Sequence, residues 1–408
     1  MRYIIFNYTY GNGPLARCFD VLAESIVRNP KRINYGIILP ENNISSPKRL
    51  IINHFLENIK FSNCNVEIFL SNELSEYRQK IEFQNYSDNM INLKSLSRKF
   101  DSSQENINKI FSKKIILKNF RNFNSIEINS DDICMCISRC SIYFYPMKSI
   151  EISYGPQSKI LSIWKEQLKK NEGLYEDSYY FLDKIIKKYK SVEEKNIINY
   201  LSIPSSLTSE IKIESNFRKF ESDKKFVFCP PLFTKYEKTK KIINNNNNQT
   251  YKNTIYIYFS GTNITEKTSV IDYLKEKIPA KYIIFTNKKN LFQNSIYQEP
   301  IFNQSTFKVV LARAGWGLVW NCLILSIPLI IFPPNKYDDP EINLNYQTLI
   351  KLNLALTINE LESPNLEDKL HTLKTNMDNY KKQLIKTFGT LSGPEFIAKH
   401  GMINKFIS

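Results

Sequence analysis

The chain has 408 residues and a net charge of +16, with 56 Lys and Arg against 40 Asp and Glu, which makes it strongly basic and long for one domain. Hydrophobic residues reach 42% and aromatics 13%, which excludes a disordered chain and leaves two α/β domains of about 150 to 220 residues each as the expectation. The longest apolar stretch, Cys322 to Pro334, is too short and Pro-rich to span a bilayer, and Arg2 to Tyr8 runs into a polar glycine loop without a cleavage site, so a cytoplasmic protein is predicted.

Seven cysteines, an odd number without a secretory feature, argue against a disulfide framework. Cys134, Cys136 and Cys140 cluster, but alternation on an apolar strand accounts for the first two, and only His54, His371 and His400 are available elsewhere, so no metal site is expected. The positive charge suits nucleic acid, anionic lipid or a polyanion. Its lysines are spread over helical segments such as Trp164 to Lys190 and no nucleic-acid motif accompanies them, so a solvated face is expected and no nucleic-acid partner. A peripheral contact of a basic face with an anionic membrane is the remaining partner expectation of the charge.

In chain order, the first strand is predicted at Arg2 to Asn7. It is followed by the Gly11-Asn12-Gly13 turn and by a helix over 15 to 28 with Leu15, Phe19, Leu22 and Ile26 on one stripe. Strands are predicted at Tyr35 to Leu39, Val66 to Leu70, Lys114 to Leu117, Asp132 to Ser138 and Ile142 to Tyr145, with a helix within 41 to 60. Residues 71 to 130 are polar and uninformative. Phe226 to Leu232 closes the first domain, 1–232, and the Lys- and Asn-rich stretch 233–252 is a linker of low complexity. The second domain, 253–390, begins with strand Thr254 to Ser260 and the Ser260-Gly261-Thr262 turn. A helix near Glu266 to Lys277 and a strand at Lys281 to Thr286 follow, and later a helix at Asp368 to Lys386. Residues 391–408 form a closing helix.

Residues 307 to 334 carry the most information. Lys308 to Ala312 is a short apolar β-branched run, as in a parallel strand covered on both faces. Gly315 and Gly317 then permit a sharp turn and close approach of a ligand, and Trp316 to Leu325 has the spacing of a buried helix. In an open α/β sheet a ligand sits at the carboxyl ends of the strands, where a helix N-terminus seats phosphate and Arg313 adds a fixed positive charge. Trp316 either stacks on the ligand or packs under the helix.

These residues resemble the donor-binding signature of GT-B-fold glycosyltransferases that use nucleotide sugars, both the lipid-linked peptidoglycan GlcNAc transferases and the UDP-glycosyltransferases. The matching pieces are Ala314-Gly315, Trp316-Gly317, Asn321, Ser326-Ile327-Pro328, Leu329 to Pro333 and Glu341-Ile342-Asn343-Leu344-Asn345. Asn253 to Thr262 resembles the opening of the family's donor domain and Met1 to Arg17 that of its acceptor domain. The resemblance implies two Rossmann-like α/β domains facing each other across a cleft, the first binding acceptor and the second donor, with the closing helix returning to the first. It implies metal-independent, inverting sugar transfer, with a nucleotide sugar, UDP-linked, as co-substrate and no further cofactor. The acceptor is a small molecule, a lipid or a glycan precursor.

On this resemblance the donor contacts are Gly261, Thr262, Arg313, Gly315, Trp316, Gly317, Asn321, Glu341 and Asn345, and the acceptor-side loop is Gly11, Asn12, Gly13 and Arg17. For Gly261 the plain reading, a glycine that ends a strand, stands equally. Two departures stand out. Asn321 replaces a Glu that accepts hydrogen bonds from both ribose hydroxyls, whereas an amide has one acceptor oxygen. Pro14 replaces the His that serves many relatives as general base, so no catalytic base is named. Asp339 and Asn343 are an alternative to Glu341 as the sugar contact, and capping of a helix near Glu341 explains the acids equally well. Arg17 either reaches phosphate from the first helical turn or is a surface arginine. A catalytically degenerate sugar-nucleotide-binding subunit is the alternative function.

Overall fold

A computed structural model describes residues 2–6, 12–28, 33–40, 44, 46–71, 118–119, 132–137, 149–153, 155–170, 176–202, 225–232, 253–259, 268–297, 307–334 and 340–400. The chain divides into two compact units, Met1–Thr234 with Ser392–Ser408, and Lys235–Leu391. Predicted strands 114–117 and 142–145, the linker, Gly11, Gly261, Thr262 and Asp339 lie outside the described residues.

Unit 1 begins with β1 (Arg2–Phe6), α1 (Asn12–Arg28), β2 (Asn34–Pro40), α2 (Ser46–Asn58), β3 (Asn65–Ser71) and β4 (Lys118–Asn119). It continues with β5 (Ile133–Ile137), β6 (Ser149–Ser153), α3 (Gln157–Lys170), α4 (Glu176–Lys195), β7 (Ile198–Ser202) and β8 (Phe226–Cys229). The strands form one sheet in the order β4-β3-β2-β1-β5-β6-β7-β8, parallel except where β4 pairs with β3. Order reverses between β1 and β5, so the segment after β1 lies at a topological switch point.

One face of this sheet is apolar. Tyr3, Ile5, Ile133, Met135, Ile150, Ile152 and Tyr200 pack there with Leu15, Phe19 and Leu22 of α1 and Ile52 and Phe55 of α2. The opposite face, over β5 to β7, carries Cys134 and Cys136 in register with Ser149 and Glu151, and Glu151 with Asn199. These polar groups are buried and satisfied. Ser149 Oγ donates to Asn196 Oδ1 at 2.5 Å, and Asn196 Nδ2 donates to Asn199 Oδ1 at 2.7 Å and Glu151 Oε2 at 3.2 Å. Glu193, in the last turn of α4, accepts from Ser158 N at 3.0 Å and from Ser158 Oγ, so a carboxylate caps the start of α3. Burial nevertheless holds its carboxyl above the usual range.

Unit 2 contains β9 (Thr254–Tyr258), α5 (Thr268–Lys277), β10 (Ile283–Thr286), β11 (Ile296–Tyr297), β12 (Val309–Ala312), α6 (Trp316–Leu325) and β13 (Leu329–Ile331). After it come α7 (Pro340–Lys351), β14 (Leu356–Thr357), a 3-10 turn at Ile358–Glu362 and α8 (Leu366–Phe388). The sheet order is β11-β10-β9-β12-β13-β14, all parallel. Every residue of β12 is buried, as the apolar run predicts for a central strand. α6 ends on Ser326 in the left-handed conformation (φ 52°), where glycine is the usual residue. Ser326 Oγ donates to Asp378 Oδ1 at 2.5 Å and accepts from Lys381, and these contacts, Lys381 first, hold the Asp378 carboxyl below the usual range.

The last described helix, α9 (Gly393–Lys399), belongs to unit 1. Ser392 caps it by accepting from Glu395 N, Ile397 enters the apolar core beneath α1, and Gly393 N donates to Pro231 O at 2.7 Å.

Candidate functional site

The site is built where β12 ends. In unit 2 the strand order reverses between β9 and β12, so the segments after these two strands flank the crevice in which open α/β sheets bind ligands. Of the two segments predicted to hold a diphosphate, the one after Ala312 leaves the sheet there, and the one after Phe259 lies outside the described residues. Beyond β12 the chain makes a tight turn in which Gly315 N donates to Arg313 O at 2.7 Å, and α6 begins at once. The first intrahelical bond runs from Val319 N to Gly315 O at 3.0 Å, so the amides of Trp316, Gly317 and Leu318 precede it. Gly315 is the N-cap with no side chain to offer, and no side-chain cap bond is made. An uncapped helix start at a switch point attracts anions.

The two glycines are informative for what they leave open. Gly315 has φ −85°, which any residue adopts, and a Cβ added to Gly315 or to Gly317 meets nothing within 4 Å. Neither backbone strain nor packing therefore requires glycine at either position. Among the described residues, a side-chain carbon at either position would have open space around it.

Arg313, at the strand's exit, is only 8% exposed. Asn321, on α6 one turn after Gly317, is equally buried, and its Oδ1 has no hydrogen-bond partner among the described residues. Asn345 on α7 is fully buried and donates Nδ2–H to Ala314 O at 2.9 Å, so it touches the turn between Arg313 and Gly315. Arg313, Ala314, Gly315 and Asn345 are thus brought together, and Gly317 and Asn321 follow on the same helix. Glu341 falls in the first turn of α7, half-buried.

One residue that sequence reasoning missed is Asn287. Its side chain accepts from Phe259 N at 2.8 Å and donates to Phe259 O at 2.8 Å, which extends the pairing of β9 past its end by one residue. An asparagine straight after an apolar strand is the only signal, and it is a weak one in an Asn-rich chain.

In unit 1, Asn12 and Gly13 open α1 at the switch point after β1, and Gly13 is exposed with open space at its Cβ position. Arg17 is neither a surface residue nor a group reaching forward from the first turn. It is 7% exposed, and its Nη1 donates to Asp20 Oδ2 at 3.2 Å, one turn further along α1. The guanidinium is buried, and the Asp20 carboxylate compensates part of its desolvation.

Cys134 and Cys136 are buried with their sulfurs 3.6 Å apart, and among the described residues no three His, Cys, Asp or Glu side chains gather as metal ligands. Among those residues no helix is long and apolar enough to cross a membrane.

No known family profile and no curated protein sequence matches the chain. Solved structures do. UGT89C1 from Arabidopsis thaliana, complexed with UDP-L-rhamnose, matches at TM-score 0.59 and 12% identity, covering 100% of this chain and 99% of that one. UGT2 from Phytolacca americana, complexed with UDP-2fluoro-glucose and pterostilbene, matches at TM-score 0.56 and 8% identity over 100% of both chains. The calicheamicin glycosyltransferase CalG4 matches at TM-score 0.55 and 12% identity, over 98% of this chain and 97% of that one. The chain has the GT-B fold of the nucleotide-sugar glycosyltransferases, an α/β architecture of two sheet-and-helix domains.

Proposed function

We propose that this protein transfers a sugar from a nucleoside-diphosphate sugar, UDP-linked in the first instance, to an acceptor, with inversion and without a metal. The observation that carries the reading is a helix start without a side-chain cap at the sheet's switch point, beside a buried arginine, with Gly315 and Gly317 meeting no described atom within 4 Å of a Cβ position. A diphosphate fits this chemistry. Its charge meets helix amides and a guanidinium, and as leaving group it is stabilised where negative charge develops. Residues 253–390 are the donor-binding part, with Gly261, Thr262, Glu341 and Asn321 as further contacts, and 1–232 the acceptor-binding part around Gly11 to Gly13. Two similar structures hold UDP sugars, one of them together with pterostilbene, which supports the donor class and a small-molecule acceptor, with a lipid or a glycan precursor as the other acceptor classes of this reading. A cytoplasmic enzyme with a basic face against an anionic membrane is consistent with the net charge of +16.

The test is isothermal titration of the full chain with UDP, GDP and dTDP at physiological salt, followed by slow hydrolysis assays of the matching sugar conjugates. Binding of one diphosphate and hydrolysis of its conjugate supports the enzyme. Binding without turnover on any conjugate or acceptor favours the sugar-nucleotide-binding subunit, for which Pro14 in place of a histidine base speaks. No binding to any of the three overturns the reading.

Gly317→Ala separates ligand approach from folding. A methyl group finds open space and a helical residue gains about 0.5–1 kcal/mol on replacing glycine, so the thermal midpoint is expected to hold or rise. Affinity for the diphosphate is expected to fall by about tenfold, ~1.4 kcal/mol, because the methyl takes the ligand's place. Unchanged affinity in this variant argues against a ligand over Gly317.

A further inference from the structure

We infer that Asn345 is a positioning residue that fixes the turn before α6 by its amide and makes no contact of its own with the sugar. This inference rests on the diphosphate reading of that turn. Asn345 has no exposed surface, so no ligand reaches it in this arrangement. A fully buried asparagine in the interior of a helix needs a reason, since burying an amide costs free energy unless it is hydrogen-bonded. Its Nδ2–H···O bond to Ala314 at 2.9 Å supplies one, while Oδ1 has no partner among the described residues. The amide orientation is forced. Turned over, Oδ1 would face Ala314 O, and two acceptors repel.

The consequence falls on the peptide between Ala314 and Gly315. Its carbonyl is held by Asn345, and its N–H is committed to Arg313 O at 2.7 Å, so the plane of that peptide is fixed from both sides. Immediately beyond it start the amides of Trp316, Gly317 and Leu318, whose aim follows from that plane. Asn345 therefore acts on an anion through the turn. The neighbouring strand end is held in a similar way, with the Asn287 amide bonded to both backbone groups of Phe259. At each of the two strand ends that flank the crevice, a side-chain amide stands in where backbone pairing stops.

The experiment is titration of wild type and Asn345→Ala with UDP, with uridine and with UDP-glucose, together with thermal unfolding of both proteins. A positioning role predicts at least about a tenfold loss of UDP affinity in the variant, with uridine affinity changed by less than about twofold, because only the phosphate seat is misaligned. A merely structural role shifts the unfolding midpoint and moves neither affinity, or lowers both alike, and overturns the inference. UDP affinity equal to wild type with a loss confined to UDP-glucose assigns Asn345 to the sugar and also overturns it. If wild type binds no UDP, the donor-site reading fails and this inference falls with it. Should Asn345→Ala not fold, Asn345→Ser keeps a small polar side chain too short to reach Ala314 O, and the same affinities decide.

Discussion

Arg313→Ala is expected to lower the affinity for a nucleoside diphosphate by about 100-fold while leaving the protein folded. The magnitude follows from two charge-assisted hydrogen bonds lost together, a total of ~2.7 kcal/mol. The side chain stands where β12 leaves the sheet, between the fully buried Ala312 and Ala314, and only 8% of it is exposed. A guanidinium in that place is shielded from solvent, so its attraction for an anion is stronger than that of a surface arginine. Arg313→Lys is expected to recover part of the loss, since an ammonium supplies charge without the planar fork. Titration with UDP at two salt concentrations checks both. Undiminished binding in Arg313→Ala removes this residue from the phosphate site.

Gly393→Ala is expected to destabilise unit 1 by about 2–3 kcal/mol, the range of a core overpacked by one methyl group. Here, unlike at Gly315 and Gly317, the missing side chain is a packing requirement. A Cβ at Gly393 would lie 2.4 Å from Pro230 O, 2.7 Å from Pro231 O and 3.0 Å from Pro231 C. All three are backbone atoms of proline residues, which do not yield, and Gly393 N already donates to Pro231 O. The helix must move, and with it Ile397 in the core and Glu395, whose carboxylate lies 3.6 Å from Arg28. Gly13→Ala, where a Cβ meets nothing and a helical glycine is likewise replaced, is the matched control and should hold or raise the unfolding midpoint. Urea denaturation followed by tryptophan fluorescence measures the difference. Equal stability of the two variants would show that the Pro230–Pro231 contact is not rigid.

What the sequence made legible, and what it did not, follows from how each segment is buried. Around β12 the apolar run, two glycines and the helical spacing of Trp316 to Leu325 agree on one reading, and the observed boundaries fall within a residue of it. β6 and β7 went unread. Their sequences, S-I-E-I-S and I-N-Y-L-S, place Ser149, Glu151 and Asn199 on a face that is buried all the same, because a side-chain network satisfies it in place of apolar packing. Two-residue strands such as β11 and β14 are too short for any periodicity to show. At the site, residue types announced a charged group and glycines with open space at their Cβ positions. The direction of Asn345 and the inward course of Arg17 depend on neighbours distant in sequence or on which side of a helix faces the sheet, and spacing alone does not encode them.

The assignment of α9 to unit 1 matters for the order in which the protein is made. Residues 235–391 are translated before Gly393–Lys399, so unit 1 starts to fold first and is completed last. At synthesis rates of about 5–20 residues per second, α1 (Asn12–Arg28) waits roughly 20–70 s for Gly393–Lys399, the segment that closes its core. During that interval the face of α1 that packs against this helix is open to chaperones or to a second nascent chain. Conditions that slow the ribosome within unit 2 should therefore lower the yield of folded unit 1, although no residue of unit 1 is being translated at the time.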